Sequence, residues 1–379
     1  MYIHKHIAQL AGMERILTDK MNYLADRLGY EITLVTYEQG TFPLSFPLSS
    51  QIKHLDLDVP FYMTATHKLL KRVILYLKMR KNFKHRLYQA AKKINPDIII
   101  ANTYSYPQLD IIIHMPIKSK YVLETHIEKN ALKKTSDFNH AFFKAIAQIY
   151  DHYMLRQIKK FDCLVTLTHQ DEKAWKSIIP TYVLANTLTF YPPKSATLND
   201  KKIISVGRLD WQKGYDLLIQ VWQIVIAKHP DWSMDVYGDG SDKITLQTLI
   251  KEADIESSFT LRDAIPDIYN EYLNHSIYVM SSRFEGFGLV LIEAMSCGLP
   301  CISFDCPSGP NEIIKHEEDG IVVENGNIYK LAEAICRLIE DEDGRKRMGI
   351  KARSNVLRYL PEHIMQQWDS LFKTLNDQL

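Results

Sequence analysis

The sequence predicts an α/β protein made of two doubly wound domains, and three observations carry that prediction. The chain has 379 residues, more than a single hydrophobic core usually organises, so two domains are the default. Short apolar runs of strand length alternate with helix-period segments in both halves, the rhythm of parallel sheets wrapped by helices. A non-periodic, turn-forming stretch at residues 191–200, YPPKSATLND, separates the halves.

In the first half, a very short opening strand at Tyr2 and Ile3 is followed by apolar runs at 31–37, 97–101, 120–124 and 163–167. Continuous apolar runs of this length suit strands buried on both faces. Helical segments lie between them, such as 16–28, where Leu17, Met21, Leu24 and Leu28 share one face. The second half repeats the pattern with strands at 202–206, 233–237, 276–280 and 300–304, and helices at 216–228 and 328–340. The expected boundaries are 1–186 for the first domain, 187–360 for the second and 361–379 for a terminal helical segment.

Composition is that of an ordinary globular chain, 46% hydrophobic and 24% charged. The first residues lack the apolar core of a signal peptide, and no uninterrupted apolar run reaches membrane-spanning length. A cytoplasmic protein is expected, with a peripheral place on the inner face of the cell membrane left open. Five cysteines without a C-x-x-C pair suit reduced thiols. Cys297, Cys301 and Cys306 find no histidine at zinc-like spacing, so no metal is expected. The net charge of +1 hides an asymmetry: residues 1–195 hold 27 Lys/Arg and 16 Asp/Glu, residues 196–379 hold 19 and 29. The basic half is expected to face something anionic.

Residues 283–300, RFEGFGLVLIEAMSCGLP, carry the densest chemistry. Gly286 and Gly288 remove side chains where a loop enters a helix, so the backbone N–H groups of Phe287 and Leu289 can approach an anion. The positive end of the helix dipole suits a phosphate. Glu293, inside the helix, can accept from hydroxyls one moiety away, and Glu285, just before it, can reach the opposite side. Together they form a cradle for a nucleotide diphosphate joined to a sugar. A second segment, 205–218 (SVGRLDWQKGYDLL), runs from a strand through Gly207 and Arg208 to Lys213, at a helix start. Two cations at such a junction can converge on a diphosphate, arginine as a fork and lysine as a point charge. A third, 304–314 (FDCPSGPNEII), is a tight turn into a helix with Ser308 or Asn311 as its cap.

The pattern E-G-F-G-L-x-x-x-E resembles the E-x7-E signature of family 4 glycosyltransferases, and the flanking YVMSS and GLPCI agree with the strands on either side. The resemblance spans nearly the whole chain and is densest from Val206 to Ile314. It implies a GT-B fold, two Rossmann-like domains facing a central cleft, with the donor mainly on the second domain, the acceptor mainly on the first, and the C-terminal helix of 361–379 crossing back to pack on the first. It also implies retaining transfer from a nucleotide-sugar to a hydroxyl on a glycan or lipid-linked acceptor. By the same resemblance Arg208 and Lys213 grip the donor diphosphate, Glu293 holds the ribose, Glu285 holds the sugar, and no cofactor or metal is required. The DCPSGP turn looks like that of members using uridine-diphosphate sugars. Residues 9–15, QLAGMER, resemble the family's G-G-x-E-R loop near the donor phosphates, with Ala11 in place of its first glycine and Gly12 retained. His126, at a strand end in the segment 124–128, matches the family's histidine beside the donor sugar. Arg262 falls where the family meets the nucleobase, or else forms a surface salt bridge.

Residues 66–94 contain ten Lys/Arg, no acid and interleaved apolar residues. They read either as a surface for anionic lipid or a pyrophosphate-linked acceptor, or as a helix packed on its own domain with a solvated basic face. No nucleic-acid-binding module accompanies this charge. A nucleotide-sugar epimerase and a non-catalytic sugar-nucleotide binder stay open as alternatives. A nicotinamide-dependent dehydrogenase is disfavoured, since no G-x-G-x-x-G follows a strand.

Overall fold

The computed structural model describes residues 1–8, 12–127, 129–132 and 141–378. They divide into two compact units, Met1–Ala185 together with Pro361–Leu379, and Asn186–Leu360.

The first unit is built on seven parallel strands: β1 Tyr2–His4, β2 Thr33–Thr36, β3 Lys53–Asp56, β4 Ile98–Asn102, β5 Lys120–Glu124, β6 Cys163–Thr166 and β7 Thr181–Val183. Their order in space is β3-β2-β1-β4-β5-β6-β7. Tyr2 therefore faces Leu34 on one side and Ile100 on the other. The chain builds to one edge, returns to the middle and builds to the other edge, which leaves a topological switch point between β1 and β4. Interior strands are sealed on both faces, as Ile99, Val122, Leu123 and Leu164 show, and this is why they read as uninterrupted apolar runs. The edge strands β3 and β7 are exposed or half-buried and carry no such signal.

The helices of this part are α1 Gly12–Asp26, α2 Leu69–Ile94, α3 Leu109–Ile112, α4 Ala141–Ile158 and α5 His169–Trp175. α1 buries Leu17, Met21 and Leu24, as their spacing predicts. It stops at Asp26, however, and Leu28 is left 38% exposed at the turn.

The second unit has six parallel strands: β8 Lys202–Val206, β9 Ser233–Tyr237, β10 Phe259–Arg262, β11 Ile277–Met280, β12 Cys301–Phe304 and β13 Gly320–Val323. Their order, β10-β9-β8-β11-β12-β13, puts the switch point between β8 and β11. Its helices are α6 Tyr215–Ile226, α7 Lys243–Glu252, α8 Tyr269–Leu273, α9 Leu289–Ser296, α10 Pro310–Ile313, α11 Ile328–Glu340 and α12 Glu342–Asn355. Trp222, Phe259, Phe304 and Leu331 pack around Ile203 and Val279 to form its core. The buried Trp222 indole is satisfied by donating to Ser258 Oγ at 3.0 Å.

The last helix, α13 Pro361–Asn376, belongs to the first unit. It buries Trp368 and Phe372 there, and its Asp369 accepts from the Tyr30 hydroxyl at 2.7 Å.

Candidate active site

Open α/β sheets bind ligands beyond the carboxyl ends of their strands at the switch point. In the second unit the loops leaving β8 and β11 flank that place. Gly207 and Arg208 leave β8, a short 3-10 turn Trp211–Lys213 follows, and its cap Asp210 accepts from the Lys213 backbone N–H at 3.3 Å. The loop after β11 is tied to this turn. The Arg283 N–H donates to Gln212 O at 2.8 Å, Gln212 Nε2 to Phe284 O at 3.0 Å, and Ser281 Oγ to Lys213 O at 2.9 Å. Arg283 forks onto both oxygens of Asp216 at 2.8 and 2.7 Å and lies 4.9 Å from the Trp211 ring centroid. Its donated bonds hold the Asp216 carboxyl below the usual range.

This bracing brings Lys213 and Glu285 together. Lys213 Nζ donates to Glu285 Oε1 at 2.7 Å, with the side chains 14% and 7% exposed. Ser282 Oγ donates to the same oxygen at 2.5 Å. Arg208 stands more open, its side chain 67% exposed, 3.3 Å from Asp210 and donating to Gln212 Oε1 at 3.1 Å.

Gly286 and Phe287 lead into α9, whose N-cap is Gly288 at φ +96°, a conformation that favours glycine. Glycine at the N-cap brings no side chain to this end of the helix, so the backbone of its first turn, from Leu289, keeps the anion-attracting character of a helix N-terminus. The turn after β12 supports it from below: Glu285 N–H donates to Pro307 O at 3.0 Å. Gly309 lies so close that a Cβ there would sit 1.9 Å from Phe287 O. Within α9, half-buried Glu293 accepts from Thr189 Oγ1 at 2.9 Å.

One expectation needs revision here. The N-cap position of α10 is Gly309 rather than Ser308 or Asn311, and Pro310 at the first helical position needs no N–H partner. Arg262, at the end of β10, donates from Nε to Asp235 Oδ1 at 2.9 Å. Burial raises the Asp235 carboxyl, but His275 and Arg262 outweigh it and hold the group below its ordinary value.

At the corresponding edge of the first unit, Glu124 ends β5 and pairs with Lys20 of α1; both are buried. Lys20 Nζ lies 5.3 Å from the Tyr2 ring centroid and 4.2 Å from that of Trp368. His126 Nε2 stands 3.2 Å from Glu124 Oε2. Burial alone would raise the Glu124 carboxyl, but Lys20 and His126 bring it down to about 2. His4, at the end of β1, hydrogen-bonds Asn102, and burial holds its imidazole down to about 3, hence neutral. Gly12 opens α1. Gln9, Leu10, Ala11 and Glu128 lie outside the described residues.

Thr189, Ser282 and Lys20 were not singled out from the sequence. Lys20 left a signal, a cation between Leu17, Met21 and Leu24 on the buried face of α1. Thr189 left none. All five cysteines are buried, and burial pushes the Cys297 thiol up to about 12. Among the described residues, no group of three or more His, Cys, Asp or Glu side chains could hold a metal ion.

The fold is GT-B, two Rossmann-like domains each on its own parallel sheet. Residues 189–355 match the family model of Glycosyl transferases group 1, and together with the relatives this supports a glycosyltransferase. An uncharacterized glycosyltransferase of Haemophilus influenzae is 28% identical over 97% of this chain and 97% of its own length. The amylovoran biosynthesis glycosyltransferase AmsD of Erwinia amylovora is 32% identical over 57% of this chain, which covers 65% of that protein. Among solved structures, S. aureus TarM, in complex with fondaparinux, alpha-GlcNAc-glycerol and UDP, superposes with a TM-score of 0.76 at 16% identity. That match covers 98% of this chain and 99% of TarM.

Proposed function

We propose that the protein is a retaining, family 4 glycosyltransferase that moves a hexosyl or N-acetylhexosaminyl group from a UDP-linked donor to a hydroxyl of a cell-surface polysaccharide or lipid-linked glycan precursor. The observation that carries this is the Lys213–Glu285 pair at 2.7 Å, held at the switch-point edge beside the start of α9. A lysine, the open guanidinium of Arg208 and a helix N-terminus offer three positive features to one diphosphate. The DCPSGP turn favours uridine, and the relative in complex with UDP is consistent with it.

In the reaction, the bond from the anomeric carbon to the diphosphate oxygen breaks and its electron pair stays on phosphate. Arg208, Lys213 and the Gly286–Leu289 backbone take up that charge as it develops, which accounts for transfer without a metal or other cofactor. Glu285 accepts from sugar hydroxyls and Glu293 from the ribose, with Thr189 fixing the Glu293 carboxylate. His126 orients the sugar. A new C–O bond forms on the same face, and the acceptor proton passes to the departing phosphate.

The test is nucleotide release from uridine-, guanosine- and adenosine-diphosphate sugars, with and without membrane extract, in the wild type and Lys213→Ala. The expected result is UDP release stimulated by extract and reduced on the order of 100-fold or more in the variant. Wild-type turnover in Lys213→Ala overturns the site. Interconversion of the donor without an acceptor would make the protein an epimerase, and donor binding with no release at all a non-catalytic binder.

A further inference from the structure

The two halves of α2 have different surroundings. Its C-terminal half is anchored, with Phe83, Leu87, Ala90 and Ala91 buried, and near the middle of the helix Arg80 donates to Asp110 Oδ2 at 2.6 Å. Its N-terminal half exposes large apolar side chains, Leu69 at 79%, Leu70 at 76%, Val73 at 47%, Ile74 at 60% and Leu77 at 59%. The spacings 69-73-77 and 70-74 put all five on one stripe along the helix. Tyr62 and Met63, in the 3-10 turn that precedes α2, are exposed as well.

α4 runs beside α2 in the same direction. The Tyr153 hydroxyl of α4 donates to the Asp110 oxygen that also receives Arg80. Further along, the Tyr88 hydroxyl of α2 donates to His114 O, and Lys160, just past α4, reaches His114 Nε2 at 2.9 Å. Successive partners thus advance together on both segments, so the helices are parallel and their N-terminal halves lie on the same side of this unit. On that side α4 exposes Phe143, Ile146 and Ile149.

Large apolar side chains gathered on one side of a folded unit mark an interaction surface. The charge around them identifies the partner. Lys68, Lys71, Arg72, Lys78 and Lys81 of residues 66–94 are exposed, Lys144 of α4 is exposed, and no acid occurs in 66–94. A single-sign cationic rim around an apolar stripe matches an anionic lipid surface, with side chains entering the acyl boundary and ammonium groups meeting phosphates. Among the described residues no helix is long and apolar enough to cross a membrane, so such contact would be made along the surface. We propose that the N-terminal halves of α2 and α4 dock the first unit on an anionic phospholipid bilayer. This is independent of the donor chemistry and brings the enzyme to the surface where a lipid-linked acceptor would be found.

The test is flotation of the full chain with phosphatidylcholine vesicles, with and without phosphatidylglycerol, at low and high salt. The wild type is expected to float with the anionic vesicles. Leu70→Ser/Ile74→Ser/Leu77→Ser should cut the bound fraction about tenfold at either salt. Lys71→Glu/Lys78→Glu/Lys81→Glu should cut it comparably at low salt. Since these side chains are exposed, both variants should keep the wild-type Tm and wild-type nucleotide release toward a water-soluble acceptor. Wild-type protein that stays unbound or floats equally with neutral vesicles overturns the proposal, as do variants that float like wild type. A wild-type dimer that the serine variant splits would assign the face to a second copy of the chain and overturn it too.

Discussion

Each unit sets a lysine–glutamate pair at the ligand edge of a parallel sheet, and the two pairs are finished differently. Lys20 and Glu124 are 4% and 3% exposed, walled in by the rings of Tyr2 and Trp368. Lys213 and Glu285 are 14% and 7% exposed, with the open Arg208 close by along the same loop and a helix start just beyond. A sealed pair spends its charge inside the protein, Glu124 on Lys20 and His126, and removing either half of the ion pair deprives the other of its main counter-charge in a low dielectric. A partly open pair braced by its neighbours can trade that partner for a ligand. The same two residue types therefore make a structural joint in one sheet and a candidate catalytic edge in the other.

The sharpest way to break this contrast is Lys20→Met. It leaves the fully buried Glu124 carboxylate only its His126 contact at 3.2 Å and should cost about 3–5 kcal/mol of stability, read as a lower urea midpoint. The same change at Lys213 leaves Glu285 its Ser282 hydrogen bond and should cost only about 1–3 kcal/mol, while nucleotide release collapses. Equal losses of stability at the two sites would erase the distinction.

Acid unfolding comes next. The folded Glu124 group titrates near 2, below the roughly 4.3 of an unfolded glutamate. A depressed folded value stabilises the native state above the unfolded pKa, and that gain is lost as pH falls through the folded one. Stability should therefore fall as the pH drops from about 4 towards 2. Glu124→Gln should flatten this limb of the stability curve, whereas an unaltered limb would show that other carboxylates govern it. The smallest effect is expected from Thr189→Val, which removes the hydroxyl that donates to Glu293. Donor KM should rise several-fold, about 1 kcal/mol, with kcat near wild type; an unchanged KM would remove Glu293 from donor binding.

The interior of both sheets was legible because strands buried on two faces must be apolar throughout. β8, β9 and α11 occupy the residues their patterns predicted. β3, with the sequence KHLD, was not legible, since an exposed edge strand needs neither apolar alternation nor a run. In the second unit, Arg208, Lys213, Glu285, Gly288 and Glu293 each belong to a contiguous strand–loop–helix segment, so local spacing brought them to notice. The partners that complete their surroundings are remote: Thr189 meets Glu293, and Lys20 meets Glu124, across 104 residues in each case. No local pattern announces such contacts. Arg262 was ambiguous for a related reason, since only the fold places Asp235 beside it.

Trp368 over Lys20 has a consequence for synthesis. The helix that carries it is translated after Asn186–Leu360, so the whole second unit leaves the ribosome before the first unit can be finished. The unit made second is then free to fold first, and the nascent first unit must hold Lys20 and its apolar neighbours open until its missing wall arrives. Until that point those surfaces are what a chaperone would find.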